Sequence, residues 1–519
     1  MIGAEVLLRF LNLDLYFTVP GRFTIPINVS LKRINGRSVM VPDERCAGHA
    51  ADGYARASNK PAGLIVSAGP GALNATLSVA TAYRDYVPMV VIAGDVPSYS
   101  KGSLAVEEVD LEGIFSSISK DLVYIGGPRD LALAKTLAES VARPPRQPVF
   151  IDFPLDQQEA EVKALIGEGD QYVDYERSED IVVQAREVAK LLEASKRPLI
   201  LIGNGCIEVH NAVARFAEQN QIPVAYTLMG WCRVKSRSKV SLGFCGIRGF
   251  KSANQALEEC DLLIALGARL SEATTAHGLS DDATIVQVLV ENHFHSKAYL
   301  KVMDTCERFL EALVREYRGG KKSLWIKQVG EEDHGSKTFN IIRRLLRATK
   351  CTILSLDMGD SSMWALEAVK HEQQGLILYP GGLATMGFSV PAALGAQLAR
   401  PDEIVLSITG DGGALISLPA LHAISRLKLP IAVTVFNNRV YGMVRGKQLR
   451  DYGVTVDVEL DLESFEGIAK ALKINYIKIE GVEDVKVLAG KPLREPILIE
   501  VHVEADDRPP TPIRLFPRT

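Results

Sequence analysis

The stretch Ile404–Met443, IVLSITGDGGALISLPALHAISRLKLPIAVTVFNNRVYGM, decides the fold. An apolar, β-branched run from Ile404 to Ile408 ends in Gly410-Asp411-Gly412. Leu415, Leu418, Leu421 and Ile424 come next at helix spacing, and a second apolar run, Ile431 to Phe436, ends in Asn437-Asn438. This pattern predicts one strand–helix–strand unit, with parallel strands joined by a right-handed crossover. Asp411 and Asn438 would then emerge together at the carboxyl edge of the sheet, where open α/β folds bind ligands. Gly410, Gly412 and Gly413 let phosphate oxygens approach backbone N–H groups, and a helix N-terminus favours the negative charge. One carboxylate and one amide oxygen, with a backbone carbonyl, suit Mg²⁺, which takes its other ligands from phosphates and water. Asp411 lacks the regularly spaced acidic ligands and distal Glu of an EF-hand loop, so that alternative fails. GDG alone is an ordinary turn signal; both halves on consecutive strand ends make it a ligand site.

The chain has 519 residues, too many for one core, so several domains are expected. A net charge of −4 leaves no basic footprint for nucleic acid or an anionic membrane, and neither partner is expected. No apolar run is long enough to span a bilayer. The N-terminal MIGAEVLLRFLNLDLYFTVPG has acidic residues within its apolar stretch and no basic n-region, so no secretory signal is expected. Seven cysteines without a CxxC pair argue against both a disulfide framework and a zinc site. A cytoplasmic protein is expected.

Alternating strand and helix patterns recur in three segments, predicting an α/β protein of three doubly wound parallel-sheet domains over 1–166, 181–317 and 338–506. Strands are expected at Pro148–Pro154, Leu199–Ile202, Asp261–Gly267 and Ile497–Val503. Polar stretches at Gly167–Asp180 and Arg318–Lys337 read as linkers, and the last dozen residues, rich in Pro and Arg, as a tail. In the first segment, Glu44 precedes a helix with Ala47, Ala50 and Ala51 on one face, which allows close packing and would hold the carboxylate at a buried helix start.

The GDG unit with its downstream NN resembles the thiamine diphosphate motif of the acetolactate synthase and benzoylformate decarboxylase group. Glu44 before the ADGYAR helix (Ala51–Arg56) resembles the residue that hydrogen-bonds N1′ of the cofactor's aminopyrimidine. Ser67–Asn74 resembles the SGPG loop beside that ring, and Gly381–Phe388 is similar to GGLGxMGF, whose Met or Leu wedges under the thiazolium. Asp357–Trp364 stands where relatives bind the diphosphate. A diphosphate there would need Asp360 turned away, so Ser361 is the favoured contact.

Across nearly the whole chain the likeness is to the acetolactate synthase large subunit. It implies pyrimidine-binding, central and diphosphate-binding domains, in that order, and thiamine diphosphate and Mg²⁺ as cofactors. Glu44 is the implied catalytic acid. Pro20, Gly21, Glu44, Gly71, Asn74, Ser361, Ala384, Met386, Gly410, Asp411, Gly412, Gly413, Asn438, Val440, Tyr441, Gly442 and Met443 are the implied cofactor contacts. Asp411, Asn438 and Val440 are the implied metal ligands. Arg22, Val106 and Glu107 are candidate substrate contacts; Arg22 could meet a carboxylate through a bidentate pair.

The implied reaction decarboxylates a 2-oxoacid and either releases an aldehyde or joins the acyl unit to a second carbonyl. The implied assembly is a homodimer or homotetramer with the site between subunits. Three departures bear on the substrate and on flavin. Val106-Glu107-Glu108 stands for Phe-Gln-Glu, Met443–Gln448 has no Trp, and Leu270-Ser271-Glu272-Ala273 replaces the flavin-contacting FDDR, which makes FAD binding doubtful. Gly203-Asn204-Gly205 lacks the third glycine of a dinucleotide turn and reads as a remnant sheet-to-helix turn, and His49 reads as packing. A FAD-independent decarboxylase or lyase of the benzoylformate decarboxylase type is the alternative enzyme. A thiamine diphosphate-binding regulatory paralogue is the non-enzyme alternative.

Overall fold

A computed structural model describes residues 1–162, 180–234, 238–372, 375–490 and 493–510. Its strands form three six-stranded sheets. The first sheet contains β1 (Tyr16–Thr18), β2 (Ser38–Met40), β3 (Ala62–Ser67), β4 (Met89–Asp95), β5 (Asp121–Tyr124) and β6 (Val149–Pro154). The middle sheet contains β7 (Pro198–Ile202), β8 (Val224–Tyr226), β9 (Ser241–Phe244), β10 (Leu262–Leu266), β11 (Thr284–Leu289) and β12 (Leu300–Met303). The third contains β13 (Ile353–Leu356), β14 (Leu376–Leu378), β15 (Val405–Gly410), β16 (Ile431–Asn437), β17 (Asn475–Ile479) and β18 (Ile497–His502). Central strands such as β3, β4, β7 and β16 are buried along their whole length, which explains their unbroken apolar reading. The first and third sheets lie in one compact unit and the middle sheet in another. The expected parallel α/β architecture is present in all three.

The first sheet has the order β2-β1-β3-β4-β6-β5 and the third β14-β13-β15-β16-β18-β17, which is the same topology. Strand order reverses between β1 and β3 in one and between β13 and β15 in the other. Such switch points open a crevice at the carboxyl ends of the strands. The Glu44–Ser58 helix comes after β2 and the Ser389–Ala399 helix after β14, so the two occupy equivalent places. They pack on each other through small residues. A Cβ on Gly53 would come within 2.1 Å of the Ala392 carbonyl oxygen, and one on Gly395 within 1.8 Å of the Ala50 oxygen. Ala47, Ala50 and Ala51 are fully buried there, as their spacing suggested.

Arg56 closes the far end of this contact. It donates to Asp52 at 2.5 Å, to Asp85 at 2.8 Å and to the Tyr379 carbonyl at 3.1 Å, while Asp85 accepts from the Gly382 amide at 2.7 Å. A buried guanidinium is tolerated only when its donors are satisfied in this way. At the near end Arg45 donates to the Ile416 carbonyl, tying the Glu44 helix to the Asp411–Ile416 helix. Gly395→Val is expected to lower stability by roughly 1–3 kcal/mol or more, because the new side chain meets backbone and not a movable side chain. A denaturant midpoint equal to the parent's would refute that packing.

Two local expectations change. The helix after Asp411 is two helices, Asp411–Ile416 and Leu418–Arg426, interrupted at Ser417, with Pro419 at the start of the second. The Arg318–Lys337 stretch is irregular up to Ser336, which caps a helix beginning at Lys337. The Gly167–Asp180 linker (apart from Asp180) and most of the tail lie outside the described residues. All seven cysteines are buried, and none is in a disulfide. Among the described residues, no helix is long and apolar enough to cross a membrane.

Candidate active site

β15 and β16 pair in parallel with Gly410 beside Phe436, so the residues just beyond them meet at the sheet edge. The Asp411 carboxylate accepts the Gly412 amide at 2.8 Å, the Arg439 amide at 2.6 Å and the Asn438 amide at 3.2 Å. The Asn438 side-chain oxygen accepts the Val440 amide at 3.1 Å, and Arg439 between them has a left-handed φ of 60°. A stretch 27 positions apart in sequence is thereby folded onto one carboxylate. Asp411 is 3% exposed, and burial pushes its carboxyl up to about 6 against the pull of those amides. A buried carboxylate held off its charged form is one that a cation would relieve.

Ser361 lies across the switch point, beyond β13. It is 6% exposed, its hydroxyl is without a hydrogen-bond partner, and that oxygen is 4.0 Å from where a Cβ on Gly410 would stand. An orphaned hydroxyl beside a buried carboxylate fits a phosphate oxygen. Gly412 is required by close approach, since a Cβ there would come within 2.6 Å of the Tyr441 ring. Gly413 presses its Cα side on Thr409 and Asp357. The Asp360 carboxylate lies beside the Gly442 turn. A Cβ on Gly442 would lie 2.5 Å from its carboxylate and 3.0 Å from the Asn438 amide nitrogen. Met443 is exposed on the first turn of the Gly442–Tyr452 helix.

Asp357 was not singled out in the sequence. Fully buried at the end of β13, it accepts the Gly387 amide at 2.8 Å, the Ser389 amide at 3.2 Å and the Thr409 hydroxyl at 3.2 Å. It therefore joins the Gly381–Phe388 loop to the Asp411 strand. Its only signal is a carboxylate ending an apolar run, which many turns share. Within that loop Ala384 has φ 58°, Thr385 meets the Thr81 hydroxyl at 2.8 Å, and Met386 is half-buried.

The second cluster occupies the β1/β3 switch point. A cleft of about 450 Å³ is lined by Pro20, Gly21 and Arg22 after β1, by Ser67 at the end of β3 with Ala68, Pro70 and Gly71 beyond it, and by Glu44, Asn74 and Glu107. The Asp43 carboxylate caps the Glu44–Ser58 helix by accepting the Cys46 amide at 2.8 Å. The Asn74 amide donates to Glu44 at 2.7 Å and to Asp43 at 3.1 Å, which orients the Glu44 carboxylate into the cleft. A Cβ on Gly71 would lie 3.2 Å from its other oxygen. Ser67, which opens the Ser67–Asn74 loop, is buried with an unpartnered hydroxyl in the cleft wall. Arg22 is exposed at the mouth, its guanidinium 5.5 Å from the Phe23 ring centroid. Val106 is 81% exposed and does not line the cleft, whereas Glu107 does. His49 is fully buried edge-on to Phe388, 5.4 Å between centroids, and sits in the helix contact. Among the described residues, none from the Asp411 cluster lines the Glu44 cleft.

The middle sheet, ordered β12-β11-β10-β7-β8-β9, has its own switch point between β10 and β7. Gly203 and Gly205 stand there, but a Cβ on Gly203 would come within 2.1 Å of the Gly267 carbonyl oxygen. Gly267 itself has φ 60° and presses on Gly205. These glycines serve a close approach of two backbone turns.

Comparison with known proteins agrees in order along the chain. The thiamine pyrophosphate enzyme N-terminal TPP binding domain matches residues 1–114, the central domain 185–313 and the C-terminal TPP binding domain 357–501. The chain is 30% identical to the probable acetolactate synthase large subunit of Methanocaldococcus jannaschii, over 97% of this chain and 92% of that one. It is 29% identical to the acetolactate synthase large subunit of Lactococcus lactis, over 96% and 92%. It is 28% identical to the acetolactate synthase isozyme 1 large subunit of Escherichia coli, over 98% and 94%.

Proposed function

Because the chain belongs to the thiamine pyrophosphate enzyme family, as an acetolactate synthase-like member, we propose that it is a thiamine diphosphate- and Mg²⁺-dependent 2-oxoacid decarboxylase and carboligase. The observation that carries this reading is the pairing of two switch-point clusters. One presents a buried carboxylate beside an amide oxygen and an orphaned hydroxyl, the other an oriented carboxylate in a cleft. In this reading residues 1–166, 181–317 and 338–506 are the pyrimidine-binding, central and diphosphate-binding domains.

Asp411, the Asn438 side-chain oxygen and the Val440 carbonyl would hold the Mg²⁺ ion, with the diphosphate completing its shell. Among the described residues no group of three His, Cys, Asp or Glu side chains could hold a metal. A single-carboxylate site completed by phosphate is therefore the arrangement these residues fit. Ser361 and the Gly410–Gly413 turn would receive the phosphate oxygens, and Met386 and Ala384 would support the thiazolium. When bound, thiamine diphosphate supplies a nucleophilic carbon and an electron sink for the carbon–carbon cleavage. Glu44 holds a proton at N1′ of the pyrimidine, and Asn74 keeps its carboxylate in place for that exchange. Pro20, Gly21 and Gly71 shape the cleft floor, and Arg22 and Glu107 stand at its rim to meet the substrate. The decisive experiment supplies thiamine diphosphate, Mg²⁺ and a panel of 2-oxoacids including pyruvate, with products identified by mass. CO₂ accompanied by acetolactate or an aldehyde is expected; no CO₂ from any 2-oxoacid would end the reading.

Since the Glu44 cleft lacks residues of the Asp411 cluster, we place the complete site between two copies, Glu44 from one and Asp411 from the other. Mixing the inactive Glu44→Ala and Asp411→Ala proteins should then restore activity through mixed dimers. No recovery after subunit exchange would refute a shared site. Seven thiols outside any disulfide fit a cytoplasmic setting. A FAD-independent enzyme is the second reading, favoured by the backbone-filled turn at Gly203 and Gly267. Flavin absorbance in the purified protein would count against it.

A further inference from the structure

The loop after β4 carries Glu107 to the cleft and is held by an unusual anchor. The Lys101 ammonium sits 3.1 Å from the Asp95 carboxylate at the end of β4 and 2.9 Å from Asp152 near the end of β6. Those carboxylates are 1% and 0% exposed. Glu112 lies 3.7 Å from the same nitrogen, and the Tyr124 ring of β5 covers it at 4.2 Å. Withdrawing Lys101 would leave two carboxylates buried against each other, an arrangement far costlier than an exposed broken pair.

The loop closes on itself beyond that anchor. The Glu108 carboxylate accepts the Gly102 and Ala105 amides, so residues 102–108 form one small ring. Gly102, Leu104 and Glu107 have φ of 85°, 59° and 72°. Three left-handed residues in so short a span persist only where surrounding contacts fix them. Glu107 then rests its backbone on Gly69, where a Cβ would come within 2.5 Å of the Glu107 oxygen. Gly69 directly precedes Pro70 and Gly71, which line the cleft with Glu44.

We propose that Lys101 is a positioning residue which, seated between Asp95 and Asp152, fixes the 102–108 ring and so sets the place of Glu107 at the rim of the cleft where substrate enters. The inference rests on the reading of that cleft as the substrate's. Supporting it, burial and then Asp95 raise the Asp152 carboxyl while Lys101 lowers it, so the buried pair leans on the ammonium for its charge. The other ionisable groups around the anchor are Glu112, Tyr124, Glu108 on the ring and Asp156, which is engaged by Ser98 at the start of the loop.

The test compares Lys101→Met, Lys101→Arg and the double variant Lys101→Met/Asp95→Asn, which removes one buried carboxylate and so protects the fold. In the intact protein without substrate, amide hydrogen exchange in the 101–108 segment should rise about tenfold in both Met variants, with the sheet unchanged. With the 2-oxoacid that the enzyme turns over, KM should rise about tenfold or more while kcat changes far less, and Arg should restore most of both. Unchanged loop exchange would overturn the anchor. Faster exchange with an unchanged KM would overturn its link to substrate. Failure of all 2-oxoacids in the parent would instead remove the functional reading and leave the exchange result standing.

Discussion

Asp411→Ala is expected to abolish Mg²⁺-dependent binding of thiamine diphosphate, lowering its affinity by at least about 10²-fold, since even outer-shell partners of a bound metal contribute about 10–100-fold. The carboxylate is the one charged ligand proposed for the ion, and without it two phosphate groups face a poorly neutralised cation. It also organises the turn, because the Asn438 and Arg439 amides both donate to it. An Asp411→Asn variant separates the two effects. Its amide oxygen can still accept those N–H groups, while the charge is gone. Both variants should therefore lose affinity, and only the alanine variant should also lose order in the 438–442 turn. Calorimetric titration with and without Mg²⁺ checks this. Unchanged affinity in either protein with Mg²⁺ present would refute the metal site.

The candidate site was legible in the sequence because each half ends a parallel strand that is buried along nearly all its length. β15 and β16 read as apolar runs, and the residues just past such a run stand at the carboxyl edge whatever the rest of the sheet does. Glu44 was legible for a related reason, since the small residues after it announce a helix packed against something equally close. The pattern could not supply the partner. Ala50 and Gly395 are brought together by the duplicated topology of two sheets, and strand order is a non-local property that no window of sequence contains.

The residues that escaped notice share that character. Asp357 matters through Gly387, Ser389 and Thr409, and Lys101 through carboxylates at the ends of two different strands. Ser67 opens the Ser67–Asn74 loop, which the sequence marks, but the burial of its hydroxyl in the cleft wall is not written there. In the middle segment the glycines keep to the plain turn that the missing third glycine suggested. Gly203 and Gly205 have the spacing of a nucleotide turn, but their lack of side chains is used up by the backbone of Gly267. The break at Ser417 escaped because the apolar spacing from Leu415 to Ile424 continues in phase across it.

Glu44→Ala is expected to leave thiamine diphosphate bound while slowing proton exchange at its thiazolium C2 by about 10²–10⁴-fold, the usual contribution of a positioned general acid or base. Diphosphate and metal supply most of the anchoring, and Glu44 lines a cleft that contains none of the residues proposed to hold them. Its carboxylate accepts the Asn74 amide at 2.7 Å and is half-buried at a cleft, so its loss opens no cavity in the core. The protein should keep its oligomeric state and its thermal midpoint to within a few degrees, since substitutions away from core packing usually change stability by about 0.5 kcal/mol or less. Asn74 and Asp43 remain as polar neighbours, but Asn74 cannot exchange a proton with a ring nitrogen near neutral pH, and Asp43 is committed to the Cys46 amide as the helix cap. Glu107, at the rim of the same cleft, is the remaining carboxylate that lines it. Deuterium exchange at C2 of the bound cofactor, quenched and read by NMR, measures the step directly and without any assumption about the 2-oxoacid. Exchange as fast as in the parent would mean that another group activates the cofactor, and the assignment of the β1/β3 cleft to the pyrimidine would have to be given up.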